Sequence, residues 1–224
     1  MFCLTIYWKK CCNPMKSLSI MSNETWKADI FESLFQQHPD PWSFESSLYE
    51  QKKLSRVLEC LPSSPVSFAT ELGCAIGVGT LALAQRYQRV LAVDASETAL
   101  AMARQRCQEH TGVRFIKAFL PADYPATDAD GSDLILISEI LYFLSPVDIH
   151  TLAAKVTESL VPEGCILIVN WTGPTDTPCT GDEAAENFIL ACQEHYWLPD
   201  MAERNEGYRI DRLAFVKNHR GKNA

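Results

Sequence analysis

Apolar residues recur with two different spacings along the chain, and the change between them divides the sequence into two parts. Between residues 23 and 61 they return every three or four positions, the spacing of amphipathic helices, with a break at HPDPW. The loop PSSP follows at 62–65. Beyond it, short apolar runs alternate with helical patterns. We therefore predict an N-terminal helical cap over 23–65 and an α/β core over 66–218.

Short apolar runs in the second part predict the strands of a single sheet. They lie at 66–72, 89–94, 113–118, 132–138 and 165–171. The helical patterns lie at 78–87, 96–110, 146–161 and 181–195. Strands joined by helices of this length form a parallel, doubly wound sheet. The last two runs, WLPDMAE and YRIDRLAFV, flank RNEG as a terminal hairpin. We predict a mostly parallel, seven-stranded α/β sheet with an antiparallel terminal strand.

The bulk composition is that of one packed domain. The chain has 224 residues, of which 47% are hydrophobic and 21% charged, and this combination excludes wholesale disorder. We assign the domain to residues 23–218. The formal net charge of -8 argues against nucleic acid as a partner, because the phosphate backbone is itself negative.

The first 22 residues carry no targeting signal that we can identify. Their basic residues follow a short apolar stretch, and no small-residue cleavage site appears. Neither a signal peptide nor a membrane-spanning helix has these features, so we expect a disordered extension over 1–22 and no membrane partner. None of the nine cysteines forms a CxxC pair. We interpret them as reduced thiols of a cytoplasmic protein, and we predict no metal site.

Glycines interrupt the most hydrophobic segment of the chain, FATELGCAIGVGTLALA at 68–84. This turn joins the first strand of the core to its first helix. Ligands of open α/β sheets bind beyond the carboxyl ends of the strands. Gly73 and Gly77 would let such a ligand approach the backbone closely. Their spacing, GxxxGxG, differs from the GxGxxG of dinucleotide-binding turns.

An acid stands near the end of each of the first two strands. Glu71 precedes the glycine turn, where a carboxylate repels a pyrophosphate and suits a cationic or amine-bearing ligand. Asp94 closes the second strand, where a carboxylate can bind ribose hydroxyls. The two acids therefore favour a nucleoside ligand that carries positive charge.

The glycine turn and the two acids together resemble the class I S-adenosylmethionine-dependent methyltransferases. The signature of that class is E/D-x-G-x-G/A-x-G, which this sequence meets with Glu71, Gly73, Ala75 and Gly77. The resemblance implies S-adenosyl-L-methionine as the cofactor. It also implies that Gly73, Cys74 and Gly77 line the methionine part of the cofactor, with Glu71 close to its amino group.

The same resemblance assigns the nucleoside part of the cofactor. Asp94 would bind the ribose hydroxyls, Ala95 would lie against the adenine, and Ser138 would contribute from the end of the fourth strand. One position departs from the pattern. Where this superfamily often has an acid facing the adenine amino group, the present sequence has Phe119 within IKAFLPADYP. We expect the phenyl ring to stack on the adenine instead.

Three further stretches are similar to the NodS-like group, which is related to the nodulation N-methyltransferases that modify a chitooligosaccharide amine. They are DPWSFESSLYEQKK at 40–53, SEILYFLS at 138–145 and NWTGPTDTPCTGDEA at 170–184. With the glycine turn, the resemblance extends over about residues 30 to 216. It implies methyl transfer to an amine of a small molecule or an oligosaccharide.

Candidate catalytic and acceptor-binding residues lie in these stretches. Glu139 follows a buried apolar strand and requires a partner there, which favours a site over a solvated surface. Tyr142, three residues on, would share its face of the following turn. We assign both to catalysis. Trp171, Asp176 and Asp182 flank a loop rich in glycine, proline and threonine, and we assign them to the acceptor because an aromatic face and carboxylates suit a sugar.

Several alternatives remain open at this level. Trp42, Phe44 and Tyr49 either pack the cap onto the sheet or form a lid over the site. The enzyme could transfer methyl to oxygen of a small acceptor, or the fold could bind its cofactor without turnover. A nicotinamide-dependent oxidoreductase is disfavoured by the glycine spacing, and nucleic-acid methylation by the sequence SEIL where an N/D-P-P-Y motif would stand.

Overall fold

One twisted sheet organises the chain. The computed structural model describes residues 24–62 and 65–216, so the predicted extension at 1–22 lies outside the described residues. The sheet has seven strands in the order β3-β2-β1-β4-β5-β7-β6. They are β1 Phe68–Leu72, β2 Arg89–Asp94, β3 Val113–Lys117, β4 Ser132–Ser138, β5 Leu160–Trp171, β6 Trp197–Asn205 and β7 Tyr208–Phe215.

Helices precede the sheet and connect its strands. Two form the cap, and the others follow individual strands of the core. They are α1 Ala28–Gln37, α2 Leu48–Glu59, α3 Val78–Ala84, α4 Glu97–Arg106, α5 Ala126–Ala129, α6 Pro146–Ser159 and α7 Gly181–Gln193, with a 3-10 turn at Leu141–Phe143. No described helix is long and apolar enough to span a bilayer.

The strand directions confirm the predicted doubly wound sheet. β1 pairs in parallel with both β2 and β4, and β5 pairs in parallel with β4. β7 inserts antiparallel between β5 and β6 through the predicted terminal hairpin. The chain reverses its winding direction between β1 and β4. Open α/β sheets bind ligands at such a switch point, beyond the carboxyl ends of the strands.

Both faces of the central strands are covered, which explains why their sequences do not alternate. Leu134 and Leu136 of β4 belong to the cluster that packs against α2 and α3, while Ile135 and Ile137 belong to the cluster packed against α6 and α7. Each of these four side chains is at most 2% exposed. The cysteines at 60, 74, 107, 165, 179 and 192 are all buried and free.

The structure differs from the sequence prediction only at the ends of helices and strands and in very short helices. The helix predicted to reach residue 87 ends at Ala84, and β5 begins at Leu160 rather than at Cys165, because Leu160 already pairs with Ser132 across a register shift. The four-residue helix α5 and the 3-10 turn were not predicted, since elements this short show no periodicity.

Polar contacts fix the cap over the carboxyl edge of the sheet. The amide of Trp26 donates to the carbonyl of Phe143 over 2.9 Å. Glu32 of α1 accepts hydrogen bonds from the hydroxyls of Thr98 and Ser96 at the start of α4, and these bonds lower the pKa of Glu32 to about 2. The cap is thereby joined both to the segment after β4 and to the segment after β2.

A buried arginine ties the terminal hairpin to α7. Arg209 is 1% exposed and donates to Asp211 over 2.7 Å, to Asp182 over 2.9 Å and to Glu186 over 2.7 Å. Asp211 is equally buried and has a second partner in Arg204 at 3.1 Å. Removing one member of such a buried network leaves an uncompensated charge.

We predict that Arg209→Met lowers the free energy of unfolding by about 3 kcal/mol, the low end for a broken buried pair because Arg204 still faces Asp211. Arg104→Met, which breaks the half-exposed pair with Glu97, is the matched control and should cost less than about 1 kcal/mol. Urea unfolding followed by tryptophan fluorescence measures both. Equal losses for the two variants would contradict a structural role of the buried network.

Candidate active site

A cavity lies at the switch point, between the carboxyl ends of the central strands and the cap. Its volume is about 1040 Å³, counting its open mouth. Its walls are mostly aromatic or aliphatic, with a few charged groups. They comprise Phe31, Phe35, Trp42, Phe44, Glu50, Lys53, Gly73, Ala75, Asp94, Ser138, Glu139, Ile140, Tyr142, Phe143, Trp171 and Pro174. An apolar pocket with a few convergent polar groups is the usual form of a small-molecule site.

The glycine turn forms one wall of this cavity, and its backbone conformation explains its composition. Gly73 and Gly77 have φ values of +83° and +80°, in the left-handed region that favours glycine. A Cβ atom on Gly73 would come within 2.2 Å of the Ile140 side chain, and one on Gly77 within 2.9 Å of the Cα of Ala103. Gly73 therefore faces the cavity, whereas Gly77 packs the turn against α4.

Asp94 is held against the glycine turn by backbone amides. Its carboxylate accepts from the amide of Ala75 over 2.8 Å and from that of Ser96 over 2.9 Å. Burial raises the pKa of Asp94, and the amides act in the opposite direction. Within the described residues no lysine or arginine forms an ion pair with it. This acid lines the cavity beside Gly73 and Ala75, an arrangement that suits the ribose hydroxyls of a nucleoside.

Glu71 lies deeper, in a smaller hollow that adjoins the cavity below the glycine turn. The hollow is also lined by Cys74 and shares Glu50, Lys53 and Glu139 with the main cavity. Glu71 is 3% exposed and accepts a hydrogen bond from the hydroxyl of Thr80. Burial raises the pKa of Glu71 to about 8. The acid therefore carries a proton over much of the physiological pH range unless a cation approaches it.

Glu139 is fixed at the end of β4 by three donors. Its Oε1 accepts from Lys53 over 2.7 Å. Its Oε2 accepts from the hydroxyl of Tyr142 over 2.9 Å and from the amide of Trp171 over 2.8 Å. The backbone of Glu139 has a φ of +60°, which is uncommon for a residue with a side chain. Such strain persists where the surroundings over-determine it, and it concentrates at functional sites.

Lys53 and Glu50 complete a buried charged group that the sequence did not reveal. The ammonium of Lys53 lies 2.9 Å from Glu50 and 2.7 Å from Glu139, and the three side chains are 8% to 13% exposed. The two carboxylates raise the pKa of Lys53 against the opposing effect of burial, so it stays charged. We call Glu50, Lys53 and Glu139 the charged triad. A helix beginning at Leu48 places Glu50 and Lys53 one turn apart on one face, a spacing visible in DPWSFESSLYEQKK.

The cap aromatics divide between the two roles considered from the sequence. Trp42 and Phe44 line the cavity and pack with Phe35 in one cluster beside the glycine turn. Tyr49 instead contacts the edges of Trp171 and Tyr208, and its hydroxyl donates to a carbonyl in the terminal hairpin. The first two rings therefore cover the site, while Tyr49 joins the cap to the hairpin.

The structure brings together only part of the predicted site. Six of the assigned residues line the main cavity, namely Gly73, Asp94, Ser138, Glu139, Tyr142 and Trp171. Glu71 and Cys74 line the adjoining hollow. Five assigned residues line neither space in the part of the chain that the structure describes, namely Gly77, Ala95, Phe119, Asp176 and Asp182.

Local contacts explain why some of these five residues line neither the cavity nor the hollow. The carboxylate of Asp182 is engaged by Arg209 at 2.9 Å, so its assignment to the acceptor finds no support in the geometry. Asp176 is exposed on the loop after β5. Phe119 begins the turn that follows β3, where its carbonyl accepts from the amide of Asp123. Among residues 24–62 and 65–216, no cluster of histidine, cysteine or acidic side chains is placed to hold a metal ion.

The sheet order and the glycine turn after β1 together define the fold of a class I methyltransferase. The sequence profile of the Nodulation protein S (NodS) family matches residues 28–179. The chain belongs to this family.

Individual relatives are similar to parts of the chain. Nodulation protein S of Sinorhizobium fredii is 32% identical over 127 residues, which cover 56% of this chain and 57% of that protein. Carboxy-S-adenosyl-L-methionine synthase of Shewanella baltica is 31% identical over 105 residues, covering 44% of this chain and 42% of that protein. The chain thus spans 57% of the length of the first of these curated relatives and 42% of the length of the second.

Solved structures share the fold. N-methyltransferase NodS of Bradyrhizobium japonicum in complex with S-adenosyl-L-homocysteine has a TM-score of 0.69 at 22% identity, over 83% of this chain and 98% of that one. A geranyl diphosphate methyltransferase has a TM-score of 0.59 at 16% identity, over 75% of this chain and 80% of that one. At these identities the likeness concerns the fold alone.

We predict that Glu71→Gln stabilises the protein at pH 8.5 and leaves it nearly unchanged at pH 4, below both the folded and the unfolded pKa of Glu71. The pKa of Glu71 is about 8 in the folded protein, against an ordinary value of 4.5. Between these values the folded protein holds a proton that the unfolded chain has lost, so stability falls as the pH rises through the window. Glutamine removes this dependence. Melting temperatures of variant and wild type, each without cofactor, measure the difference at the two pH values.

Glu97→Gln is the control for this experiment, because Glu97 is exposed at the start of α4 and pairs only at the surface. Its melting temperature should differ from that of the wild type by the same small amount at both pH values. A Glu71→Gln variant that is less stable than the wild type at pH 8.5 would show that the buried carboxyl is ionised and paired instead.

Proposed function

We propose that the protein is an S-adenosyl-L-methionine-dependent methyltransferase that acts on the amine nitrogen of a small molecule or an oligosaccharide. The observation that carries this proposal is the joint placement of Gly73, Asp94 and Glu139 around one cavity at the switch point of the sheet. Asp94 suits the ribose hydroxyls of a nucleoside, and Gly73 allows that nucleoside to approach the backbone closely. The third supplies an acid for a positively charged or amine-bearing group.

The chain has the groups that this cofactor requires. Asp94 has carboxylate oxygens for the ribose hydroxyls, and Gly73 and Ala75 offer a wall without bulky side chains. Glu71 and Cys74 line the adjoining hollow together with Gly73, and they would hold the methionine part of the cofactor there. When bound, the cofactor supplies a methyl group that is already electrophilic. The protein has to bind the cofactor and the acceptor, orient them relative to each other and exclude water.

The acceptor nitrogen must be uncharged when it attacks. Its lone pair forms the new N–C bond to the methyl carbon while the C–S bond breaks, and the electrons of that bond remain on sulfur. The ammonium product then loses one proton to a carboxylate or to water. Both oxygens of Glu139 already accept hydrogen bonds. We therefore assign Glu139, together with Tyr142, to orienting the nitrogen in line with the methyl group rather than to a strongly basic role.

Reduced thiols support a cytoplasmic location for this enzyme. Six cysteines in the described residues are free and buried, as is usual where glutathione and thioredoxin keep thiols reduced. The proposed partners are a small-molecule or glycan acceptor and the cofactor. The negative net charge supports the view that nucleic acid is not an acceptor.

Two measurements test the proposed function. Calorimetry should show binding of S-adenosyl-L-homocysteine and none of NAD. Transfer of a labelled methyl group should then be detected with amines, including amino sugars and chitooligosaccharides with a free amine, and not with the matching alcohols. Binding of NAD alone would refute the cofactor assignment. Methylation of the alcohols alone would make the protein an O-methyltransferase, and binding without transfer to any acceptor would make it a cofactor-binding module.

We predict that Glu139→Gln lowers the single-turnover rate of methyl transfer about 100-fold, because a neutral amide is a weaker acceptor for the N–H groups of the amine and stabilises less the positive charge that develops on the nitrogen. The affinity for S-adenosyl-L-homocysteine should stay within about threefold of the wild type, since the change leaves Asp94 and the glycine turn intact. Glu158→Gln, an exposed change on α6, is the control and should alter neither quantity. A variant that loses cofactor affinity but keeps its single-turnover rate would contradict the assignment of Glu139 to the acceptor.

A further inference from the structure

The cavity has two sides, and the proposed cofactor accounts for one of them. Phe35 packs with Ile76 beside the glycine turn, and Trp42 and Phe44 pack against the same cluster. This side includes Asp94 and belongs to the cofactor if the proposed function is correct. The other side is built by the segments that follow β4 and β5, with one ring from α1. It comprises Phe31, Ile140, Tyr142, Phe143, Trp171 and Pro174.

The acceptor side is carbon-rich, and its polar groups are concentrated at one place. Within the described residues the charged groups that reach it are those of the charged triad, which contains two carboxylates and one ammonium. When all three are ionised, the triad keeps one negative charge that faces the cavity. The hydroxyl of Tyr142 and the amide of Trp171 are directed to Glu139. An acceptor therefore meets one cation-binding group and otherwise apolar walls.

The rings on this side do not form an open platform for a sugar. Phe143 meets Phe31 edge-on with ring centroids 5.0 Å apart, and Tyr142 lies 4.6 Å from Phe143, so these rings pack against one another. The indole of Trp171 is closely approached by backbone. A Cβ atom on Gly173 would come within 2.1 Å of it, and one on Gly207 within 2.7 Å.

A sugar has several hydroxyls, and each one buried without a partner weakens binding. An aliphatic or aromatic skeleton has no such groups and gains from contact with these walls. We infer that the acceptor is a small amine whose nitrogen is carried on an aromatic or aliphatic skeleton, with the charged triad holding the nitrogen and Phe31, Ile140 and Phe143 contacting the skeleton. This inference rests on the proposed methyltransferase function and narrows its acceptor.

A comparison of methyl transfer to apolar amines and to sugar amines tests the inference. The full chain is assayed with labelled S-adenosyl-L-methionine and, separately, 2-phenylethylamine, hexylamine, glucosamine or a partly deacetylated chitotetraose. We expect kcat/KM for 2-phenylethylamine to exceed that for either sugar amine by about 100-fold, because a site without hydroxyl partners discriminates against buried hydroxyls. Equal or higher values for a sugar amine would overturn the inference and leave the methyltransferase function standing.

Phe31→Ala tests the apolar wall directly. It should raise KM for 2-phenylethylamine about 10-fold, the usual effect of lost contact in a hydrophobic pocket, and leave the affinity for S-adenosyl-L-homocysteine unchanged. Tyr87→Ala removes a half-buried ring from the region outside the cavity and should change neither value. If Phe31→Ala leaves KM unaltered while lowering cofactor affinity, the ring belongs to the cofactor side and the inference fails.

Binding of S-adenosyl-L-homocysteine distinguishes failure of the proposed function from failure of the acceptor inference. Absence of S-adenosyl-L-homocysteine binding by the wild type would refute the proposed function, and the acceptor inference with it. If the cofactor product binds but no amine is methylated, 2-phenylethylamine and glucosamine are titrated into that complex by calorimetry. Preferential binding of 2-phenylethylamine would support the inference, and preferential binding of glucosamine, or of neither, would overturn it.

Discussion

The contact between Lys53 and Glu139 is the interaction on which the site depends, because it joins the two parts of the chain. Lys53 belongs to α2 of the cap, and Glu139 ends β4 at the switch point of the sheet. Without this 2.7 Å contact the cap would lose its charged anchor in the cavity wall, and the carboxylate of Glu139 would be buried without a cation, while Lys53 would keep only Glu50. Isolated buried charges cost far more than paired ones. The requirement for charge pairing therefore fixes the height of α2 above the sheet and, with it, the space available to ligands.

Buried charge of this kind contributes little to net stability, since desolvation of both partners offsets their attraction. Its retention beside an apolar cavity is better explained by the chemistry of the proposed reaction. Glu139 also occupies a left-handed backbone conformation, which costs free energy for a residue with a side chain. The strain and the desolvation are concentrated at the same residue. The surrounding contacts, from Lys53, Tyr142 and the amide of Trp171, over-determine the position of its carboxylate and thus hold a fixed charge at the mouth of the acceptor side.

The sequence predicted the sheet well because its evidence is local and repeated. The predicted strands at 89–94 and 132–138 agree with β2 and β4 to the residue. The glycine turn could be identified from its composition. The long-range parts of the site were harder. Lys53 is separated by 86 residues from Glu139, so no local pattern marks the pair. Asp182 appeared suited to an acceptor by its place after β5, yet its carboxylate is engaged by Arg209, a partner 27 residues away in the terminal hairpin. Periodicity identifies which face of an element is buried, but not which distant charge meets it.

The two sides of the cavity are built by different parts of the chain. The side proposed for the cofactor combines β1, β2 and the turn between them, which define the fold, with three rings of the cap. The side proposed for the acceptor is made by the segments after β4 and β5, with Phe31 of the cap, and the sheet does not constrain these segments. A fold shared by proteins with different acceptors therefore carries little information about any one acceptor. Under the proposed function, that information would lie in Phe31, Ile140 and Phe143 and in the carboxylates of the charged triad. Membership of the NodS family determines the scaffold, whereas under the proposed function the apolar character of these walls would select the amine that is enclosed.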